Sequence, residues 1–293
     1  MRKQIIIAVV LASLFMGGCT KKTVIVEPLK FTLETLPKMD GSTVTIPLDE
    51  ALVATLTGMT IEEARPYIMH NKTLQAYMSL IGKTTDLIFV TSPSVSEKQS
   101  AQIANVELEY VPITGEAFVF LVNKDNPIDS LTLDQIRKIY TGEITNWKEV
   151  GGDDVAIRAL QRPVNSGSQT GFLDLVMKEQ TPMTPPLNWV LDYMEGLISS
   201  VAQYDNKPDA IGYSFYYYVT DMEYNPNVKM IKVEGIEPTS ATITIKTYPI
   251  STAYYAVFRK AETADSAVRE IVDYILSEQG QQLMENAGYV KIK

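Results

Sequence analysis

Short apolar runs alternate with helical patterns from about residue 39 onward, and this alternation constrains the fold more than any other feature of the chain. Asp86–Val90 and Ala117–Asn123 are apolar runs of strand length. Lys72–Ile81 and Thr132–Tyr140 space their apolar residues as amphipathic helices do, and Thr132 is a good N-cap. Strands separated by helices favour an α/β fold with largely parallel sheets flanked by helices.

The remaining elements follow the same alternation. Further strands are predicted at Glu107–Pro112, Arg158–Leu160, Ile211–Val219, Val228–Val233 and Tyr254–Phe258. Further helices are predicted at Pro47–Leu56, Ser96–Ala104 and Gly171–Lys178 and within Ala264–Asn286. The aromatic residues between Tyr213 and Tyr218 are interpreted as core packing of a strand rather than as a stacking platform for a ligand.

Composition excludes several classes of function. The 293 residues suffice for two domains, and the net charge of −9 argues against a nucleic-acid partner. With one Cys and one His, the chain lacks the residues for an internal disulfide or a common zinc site. His70 lies in a polar stretch and is interpreted as a loop histidine rather than a catalytic base. No enzyme activity, metal or cofactor is therefore expected.

The N-terminus has the form of a targeting segment. A basic start at Arg2 and Lys3 precedes the apolar run Ile5–Met16, which is too short to span a bilayer comfortably. The end of this run resembles a bacterial lipobox, with Gly17 and Gly18 before the only cysteine, Cys19. We predict a signal peptide over 1–18, lipidation of Cys19, a tether over 19–30 and an extracytoplasmic protein anchored to the bacterial membrane. An ordinary signal peptide with an incidental Cys19 is the alternative.

Three junctions between loops and helices could hold an anion. Arg162 precedes Ser166-Gly167-Ser168, and Gly41-Ser42-Thr43 and Thr91-Ser92-Pro93 offer similar small polar residues. Helix N-termini present free N–H donors, and a guanidinium binds oxyanions through two donors. Ordinary helix capping is the alternative at each junction taken singly.

The chain resembles the phosphate-binding proteins of bacterial ABC importers. The two specific segments are Leu131–Trp147, which contains Ile-Tyr-x-Gly-x-Ile-x-x-Trp, and Arg162–Thr170. Supporting matches are Asp40–Leu48, Asp86–Thr91, Ala210–Tyr213, Tyr248–Ser251 and Gly280–Tyr289.

The resemblance implies a two-lobed periplasmic binding protein type II fold, in which each lobe is a mixed, mostly parallel sheet flanked by helices. A two-strand hinge would join lobe I, residues 31–115 plus 248–293, to lobe II, residues 116–247. The chain would cross between lobes near Thr114–Glu116 and Thr247–Pro249. The implied partners are inorganic phosphate and ABC permease subunits, and the protein is expected to be a monomer.

The resemblance also implies the residues of the binding site. Arg162, Ser166, Gly167 and Ser168 match the family's anion-binding segment, and Ser42 and Thr43 match its first binding loop. Thr91 and Thr170 complete the candidate set of ligand-binding residues.

Two departures from the family bear on the ligand. Family members carry an aspartate that accepts the proton of hydrogen phosphate where Thr91 stands, and many carry an acid where Val164 stands. Glu116, or else Asp40, is expected to supply the missing acceptor. Another oxyanion, such as sulfate or molybdate, remains an alternative ligand, and a sensory or adhesive surface lipoprotein remains an alternative function.

Overall fold

The structure is a computed structural model that describes residues 31–203 and 208–292. The predicted signal peptide 1–18, the tether 19–30 and Cys19 lie outside the described residues. Within the described ranges no single helix is long and apolar enough to cross a membrane. Together, the two helical segments Thr43–Thr57 and Ile61–Tyr67 have the length and composition of a membrane span, but they are bent at a break between them. Buried core helices of soluble proteins can have the same length and composition.

Strands and helices alternate along the chain as expected. The strands are β1 (Met39–Gly41), β2 (Leu87–Val90), β3 (Leu108–Pro112), β4 (Glu116–Asn123), β5 (Ser130–Leu131), β6 (Arg158–Ala159), β7 (Ala210–Phe215), β8 (Val228–Met230), β9 (Lys232–Val233), β10 (Ser251–Thr252) and β11 (Tyr255–Arg259). The helices are α1 (Ile46–Thr57), α2 (Ile61–Ala64), α3 (Lys72–Ile81), α4 (Val95–Ile103), α5 (Leu133–Thr141), α6 (Gly167–Gly171), α7 (Met194–Ala202), α8 (Ser240–Thr244), α9 (Ala267–Leu276) and α10 (Glu278–Asn286).

The described strands form two main sheets. The first has the order β1-β2-β11-β3, and the second has the order β10-β4-β7-β6, with β8 also paired to β4. A small third sheet joins β5 to β9. Every residue of β2, β4 and β7 is buried, because helices and loops cover both faces of these strands.

The mixed α/β architecture with flanking helices is confirmed, but the expectation of mostly parallel sheets is wrong. Among the described strands, three of the eight pairings are parallel: β1 with β2, β5 with β9 and β6 with β7. The returning strand β11 lies antiparallel between β2 and β3, and β4 is antiparallel to β7, β8 and β10. A chain that leaves one sheet and later returns to it supplies strands in both directions.

Two neighbouring segments carry the chain between the main sheets. Ile113–Gly115 joins β3 to β4, and Ala253–Tyr254 joins β10 to β11. The Ile113 amide donates to the Tyr254 carbonyl over 2.9 Å, and the Tyr254 amide donates to Thr114 Oγ1 over 3.3 Å. Because β10 pairs with β4, the return to the first sheet follows Thr252, a few residues after the predicted crossing at Thr247–Pro249.

Two predicted elements differ from the structure near the second sheet. The strand predicted over Ile211–Val219 ends at Phe215, and a helical turn follows it. The helix predicted over Gly171–Lys178 begins at Gly167 and continues as a π-helical turn to Met177.

The aromatic residues of this region nevertheless pack in the core as expected. Tyr213 stacks on Phe172 with ring centroids 4.6 Å apart and planes 6° from parallel, and Tyr217 stacks on Tyr289. Tyr213, Phe215, Tyr217 and Tyr218 are all buried. The stacking of Tyr213 on Phe172 fixes α6 against β7, and this packing places the residues that precede α6.

Candidate functional site

A cleft of about 630 Å³ lies where loops from the two main sheets meet. Its lining comes from the turn after β1, the start of α3, the residue after β2, the segment between β6 and α6, the start of α7, and the end of β7. Polar side chains of short reach line much of this space. The cleft therefore suits a small polar ligand.

Arg162 is the buried cation of the cleft. The residue lies in the segment after β6 and is 8% exposed. Nη2 donates to the Asp192 carbonyl over 2.9 Å and Nη1 to Ser168 Oγ over 3.4 Å, while the buried Nε has no partner within the described ranges. Burial lowers the pKa of Arg162, but a guanidinium starts high enough to remain charged.

Among residues 31–203 and 208–292 Arg162 forms no direct ion pair, although the negative charge of the exposed Asp192 acts on it from a longer distance. A buried charge without a counter-charge is costly. An anionic ligand in the cleft would remove that cost, so the Arg162 side chain favours an anion over a neutral ligand.

Two side chains fix the backbone of Arg162. Its amide donates to Tyr213 Oη over 2.9 Å and to Gln169 Oε1 over 3.1 Å. Tyr213 and Gln169 also hydrogen-bond each other, and Gln169 Nε2 donates to Gln161 Oε1 over 3.2 Å. This network ties the end of β6 to β7 and α6. The backbone that carries the guanidinium is therefore ordered before a ligand binds.

The start of α6 approaches the opposite wall of the cleft. Ser166 is its N-cap, and Ser166 Oγ accepts from the Gln169 amide over 3.2 Å. Gly167 follows, and a Cβ atom there would lie 2.5 Å from Thr73 Oγ1 and 3.0 Å from Thr91 Oγ1. Only glycine allows this close approach of the backbone. Gly167 therefore brings donors of α6 next to the Thr73 hydroxyl at the start of α3 and the Thr91 hydroxyl after β2.

Two hydroxyls on that side of the cleft are free to meet a ligand. Ser42 follows β1 and Thr91 follows β2, and each is 4% exposed. Neither Ser42 Oγ nor Thr91 Oγ1 has a hydrogen-bond partner among the described residues. Buried polar atoms are nearly always hydrogen-bonded, so these two hydroxyls point to a group that the cleft receives.

The start of α3 completes this wall, and sequence reasoning missed it. Thr73 is 5% exposed and lines the cleft, and the exposed Lys72 places Nζ 4.7 Å from the centre of the Tyr193 ring. The Asp40 carboxylate sets the position of this segment, because it accepts from the Asn71 amide and from Asn71 Nδ2, each over 2.9 Å. The signal available in the sequence was a polar residue at a helix start, as at the three junctions that were recognised.

The structure brings seven of the eight predicted site residues to the cleft. These are Ser42, Thr43, Thr91, Arg162, Ser166, Gly167 and Ser168. Thr170 does not line it and is buried within α6. A helix start at Gly171, as the sequence predicts, leaves Thr170 in the preceding loop, whereas the helix begins at Gly167 and carries Thr170 a full turn beyond the N-cap. That any of these residues binds a ligand stays a prediction.

Neither carboxylate expected to accept a ligand proton lines the cleft. Asp40 Oδ1 and Oδ2 are used by the amides of Gly41 and Asn71 and by the Asn71 side chain. Glu116 lies at the crossing between the sheets, where Oε1 accepts from the amides of Ala117 and Tyr217. Burial raises the pKa of Glu116 to about 7. The expectation that Glu116 replaces the missing aspartate is therefore wrong.

His70 lies in the loop before α3, as expected. Its Nδ1 is 3.5 Å from Asp49 Oδ2, and burial lowers the pKa of His70. His70 does not line the cleft. In the described part of the chain, no three His, Cys, Asp or Glu side chains are grouped to hold a metal ion.

Two α/β sheets, joined by paired crossing segments and separated by a cleft that holds a buried guanidinium, define the class of this protein by its fold. The chain belongs to the PBP superfamily, since the family model described as the PBP superfamily domain matches residues 42–279.

Curated relatives carry a consistent name. The chain is 30% identical over 172 residues to the phosphate-binding protein PstS of Bacillus subtilis, covering 58% of this chain and 53% of that protein. It is 27% identical over 182 residues to the phosphate-binding protein PstS of Borreliella burgdorferi, covering 61% of this chain and 64% of that protein. In each case the match spans less than two thirds of the relative.

Solved structures share the fold over most of their length. A phosphate ABC transporter substrate-binding protein from Clostridium perfringens, solved with bound phosphate, superposes with a TM-score of 0.67 at 27% identity, covering 87% of this chain and 98% of that one. An ABC-type phosphate transport receptor from Vibrio cholerae gives a TM-score of 0.65 at 24% identity, covering 86% of this chain and 98% of that one.

Proposed function

We propose that this protein captures inorganic phosphate in the cleft and delivers it to an ABC permease, without covalent chemistry. The observation that carries the proposal is the buried guanidinium of Arg162, which shares the cleft with unpartnered hydroxyls and forms no ion pair among the described residues. The names of the relatives and the bound phosphate in the Clostridium perfringens protein support the choice of phosphate among anions.

Phosphate would be held from both walls of the cleft. Arg162 supplies the charge, Ser166, Gly167 and Ser168 supply donors from the second-sheet side, and Ser42, Thr73 and Thr91 supply hydroxyls from the first-sheet side. A ligand that bridges two lobes, residues 31–115 with 248–293 and residues 116–247, stabilises their closed arrangement by its higher affinity for it. Binding by closure requires no nucleophile or general base, so we propose a transport role and no enzyme activity.

Calorimetric titration of the purified protein tests this function. We expect saturable binding of phosphate and of arsenate, which has the same shape and charge, with one anion per chain. Chloride at the same ionic strength is the control for charge alone. Heat that matches the chloride control at every phosphate concentration would contradict the proposal.

We also propose that the protein works as a monomer outside the cytoplasmic membrane, anchored through lipid on Cys19. The sequence Gly17-Gly18-Cys19 after an apolar run supports the anchor. Acyl chains on the N-terminal cysteine would hold the protein stably, because each buried CH₂ contributes about 0.8 kcal/mol. In the native host, Cys19→Ser should release the protein from the membrane fraction, and unchanged membrane association would contradict the anchor.

A further inference from the structure

We infer that Tyr289, which lies outside the cleft, is a positioning residue for phosphate binding: its hydroxyl fixes the turn of residues 42–44, and its ring ties that turn to the opposite wall. Tyr289 follows α10 near the end of the chain and is 3% exposed. It does not line the cleft. The inference rests on the proposed function, because it concerns how the walls of the same cleft are held.

The Tyr289 hydroxyl bonds to both sides of the junction between the turn of residues 42–44 and α1. It donates to the Val44 carbonyl over 2.8 Å and accepts from the Leu48 amide over 3.3 Å. Val44 and Leu48 are four residues apart, the spacing of main-chain partners in an α-helix. Both residues are buried, so water would not replace a bond lost here. The hydroxyl therefore fixes how the turn is joined to α1.

The turn of residues 42–44 is part of the cleft wall. Ser42, Thr43 and Val44 all line the cleft, and the buried Ser42 Oγ has no partner among the described residues. At its start the turn is held by β2, because the Ser42 amide donates to the Phe89 carbonyl over 3.0 Å. At its end it is held by Tyr289. Loss of the second anchor would let the Ser42 hydroxyl leave its place in the wall.

The Tyr289 ring connects this wall to the second sheet. It stacks on Tyr217, which follows β7, with ring centroids 3.8 Å apart and planes 21° from parallel. Tyr218, the next residue, lines the cleft on that side. Tyr289 therefore contacts a lining residue of one wall, Val44, and the neighbour of a lining residue of the other.

Phosphate titration of the purified full-length protein and of Tyr289→Phe tests the hydroxyl. Phenylalanine keeps the ring and removes both bonds, so we expect the dissociation constant for phosphate to rise by about tenfold. Tyr248→Phe is the matched control, because Tyr248 is also buried and its hydroxyl donates to the Phe118 carbonyl over 3.3 Å away from the cleft. The control should change the dissociation constant by less than about threefold.

Combination with Ser42→Ala separates positioning from stability. If Tyr289 acts by placing the Ser42 hydroxyl, Tyr289→Phe should weaken phosphate binding by less than about threefold in the Ser42→Ala background. Its effect on the midpoint of thermal unfolding should be the same in both backgrounds, since the two side chains do not share that role. Equal losses of phosphate affinity in the two backgrounds would show that Tyr289 contributes stability alone and would overturn the inference.

Two substitutions of Tyr217 test the ring contact. Tyr217→Leu removes the stack and should weaken phosphate binding by up to about tenfold. Tyr217→Phe keeps the ring and should recover most of that loss. Equal affinities in these two variants would mean that the ring contact does not tie the walls together.

The outcomes separate this inference from the proposed function. Unchanged phosphate affinity in a folded Tyr289→Phe would overturn the inference while phosphate binding stood. If thermal unfolding shows that Tyr289→Phe does not fold, the comparison of the two Tyr217 variants decides. An unsubstituted protein that binds no phosphate would contradict the proposed function, and the inference would fall with it.

Discussion

Gly167 lies so close to Thr73 that a Cβ atom on Gly167 would be 2.5 Å from Thr73 Oγ1. Gly167 begins α6 beside the second sheet, whereas Thr73 belongs to α3, which packs against β2 of the first sheet. The contact therefore joins the two walls of the cleft directly. Its closeness leaves no space for a side chain at Gly167.

Gly167→Ala should weaken phosphate binding, because the added methyl group would push the two walls of the cleft apart. We expect a loss of about tenfold or more, which corresponds to about 1.4 kcal/mol or more of binding free energy. The φ of Gly167 is not positive, so alanine strains no backbone there. Gly196→Ala is the matched control, since Gly196 has open space around its Cβ position. Equal phosphate affinity in the two variants would show that the close contact does not matter for binding.

Arg162→Ala should weaken phosphate binding by one to several powers of ten. Hydrogen bonds to charged groups contribute about 1.5–3 kcal/mol each, and each 1.4 kcal/mol corresponds to about tenfold in affinity. Arg158→Ala is the control, because Arg158 lies four residues earlier and pairs with Asp209 over 3.1 Å away from the cleft. A loss for Arg162→Ala below about threefold would remove Arg162 from the site.

Asp40→Asn should also weaken phosphate binding, although Asp40 does not line the cleft. The Asp40 carboxylate joins Gly41 to Asn71, and these residues precede Ser42 and Thr73. The side-chain amide introduced at position 40 would face the amide groups of Asn71, donor against donor, at a cost of about 1–3 kcal/mol.

The exchange Asp40→Asn with Asn71→Asp restores a donor and an acceptor to the pair. We expect this double variant to recover most of the phosphate affinity that the single variant loses, as measured by calorimetry. Full affinity in Asp40→Asn alone would mean that this bond does not position the cleft walls.

The sequence predicts the local elements well and the long-range contacts poorly. Lys72–Ile81 is a helix as predicted, because its apolar spacing is a local property. The helix predicted from Gly171 instead begins at Gly167, where Ser166 caps it and Phe172 packs on Tyr213. Aromatic residues favour strands, which explains why the end of β7 at Phe215 was missed.

In the candidate site too, the sequence predicts what depends on local pattern and does not predict what depends on long-range packing. Seven of its eight predicted residues reach the cleft because small polar residues at helix starts are visible in sequence. The position of Thr73 beside Gly167 depends on how α3 and α6 pack, which no local pattern encodes. The sequence places Glu116 at a crossing, but the use of its carboxylate by the amides of Ala117 and Tyr217, away from the cleft, depends on long-range packing.

Glu116 should make stability fall as pH rises. Burial raises its pKa from an ordinary value of 4.5 to about 7, so the native state binds more protons than the unfolded chain between these values. The free energy of unfolding therefore decreases from pH 4.5 to pH 7, by on the order of 3 kcal/mol at 1.36 kcal/mol per pKa unit.

Glu116→Gln cannot titrate, so it should lose less stability than the unsubstituted protein between pH 5 and pH 8. Glutamine keeps the oxygen that accepts from Ala117 and Tyr217. Urea unfolding at the two pH values measures the difference. Parallel pH profiles for the two proteins would show that Glu116 titrates as an ordinary carboxylate.

The location of a bound anion tests the central claim most directly. A crystal structure with arsenate, whose arsenic atom is found by anomalous scattering, gives that location without reference to the protein. We predict a single arsenic site in the cleft, with arsenate oxygens within hydrogen-bond distance of the Arg162 guanidinium and of the Ser42 or Thr91 hydroxyl. An empty cleft at saturating arsenate, or an arsenic site out of reach of Arg162, would contradict the account.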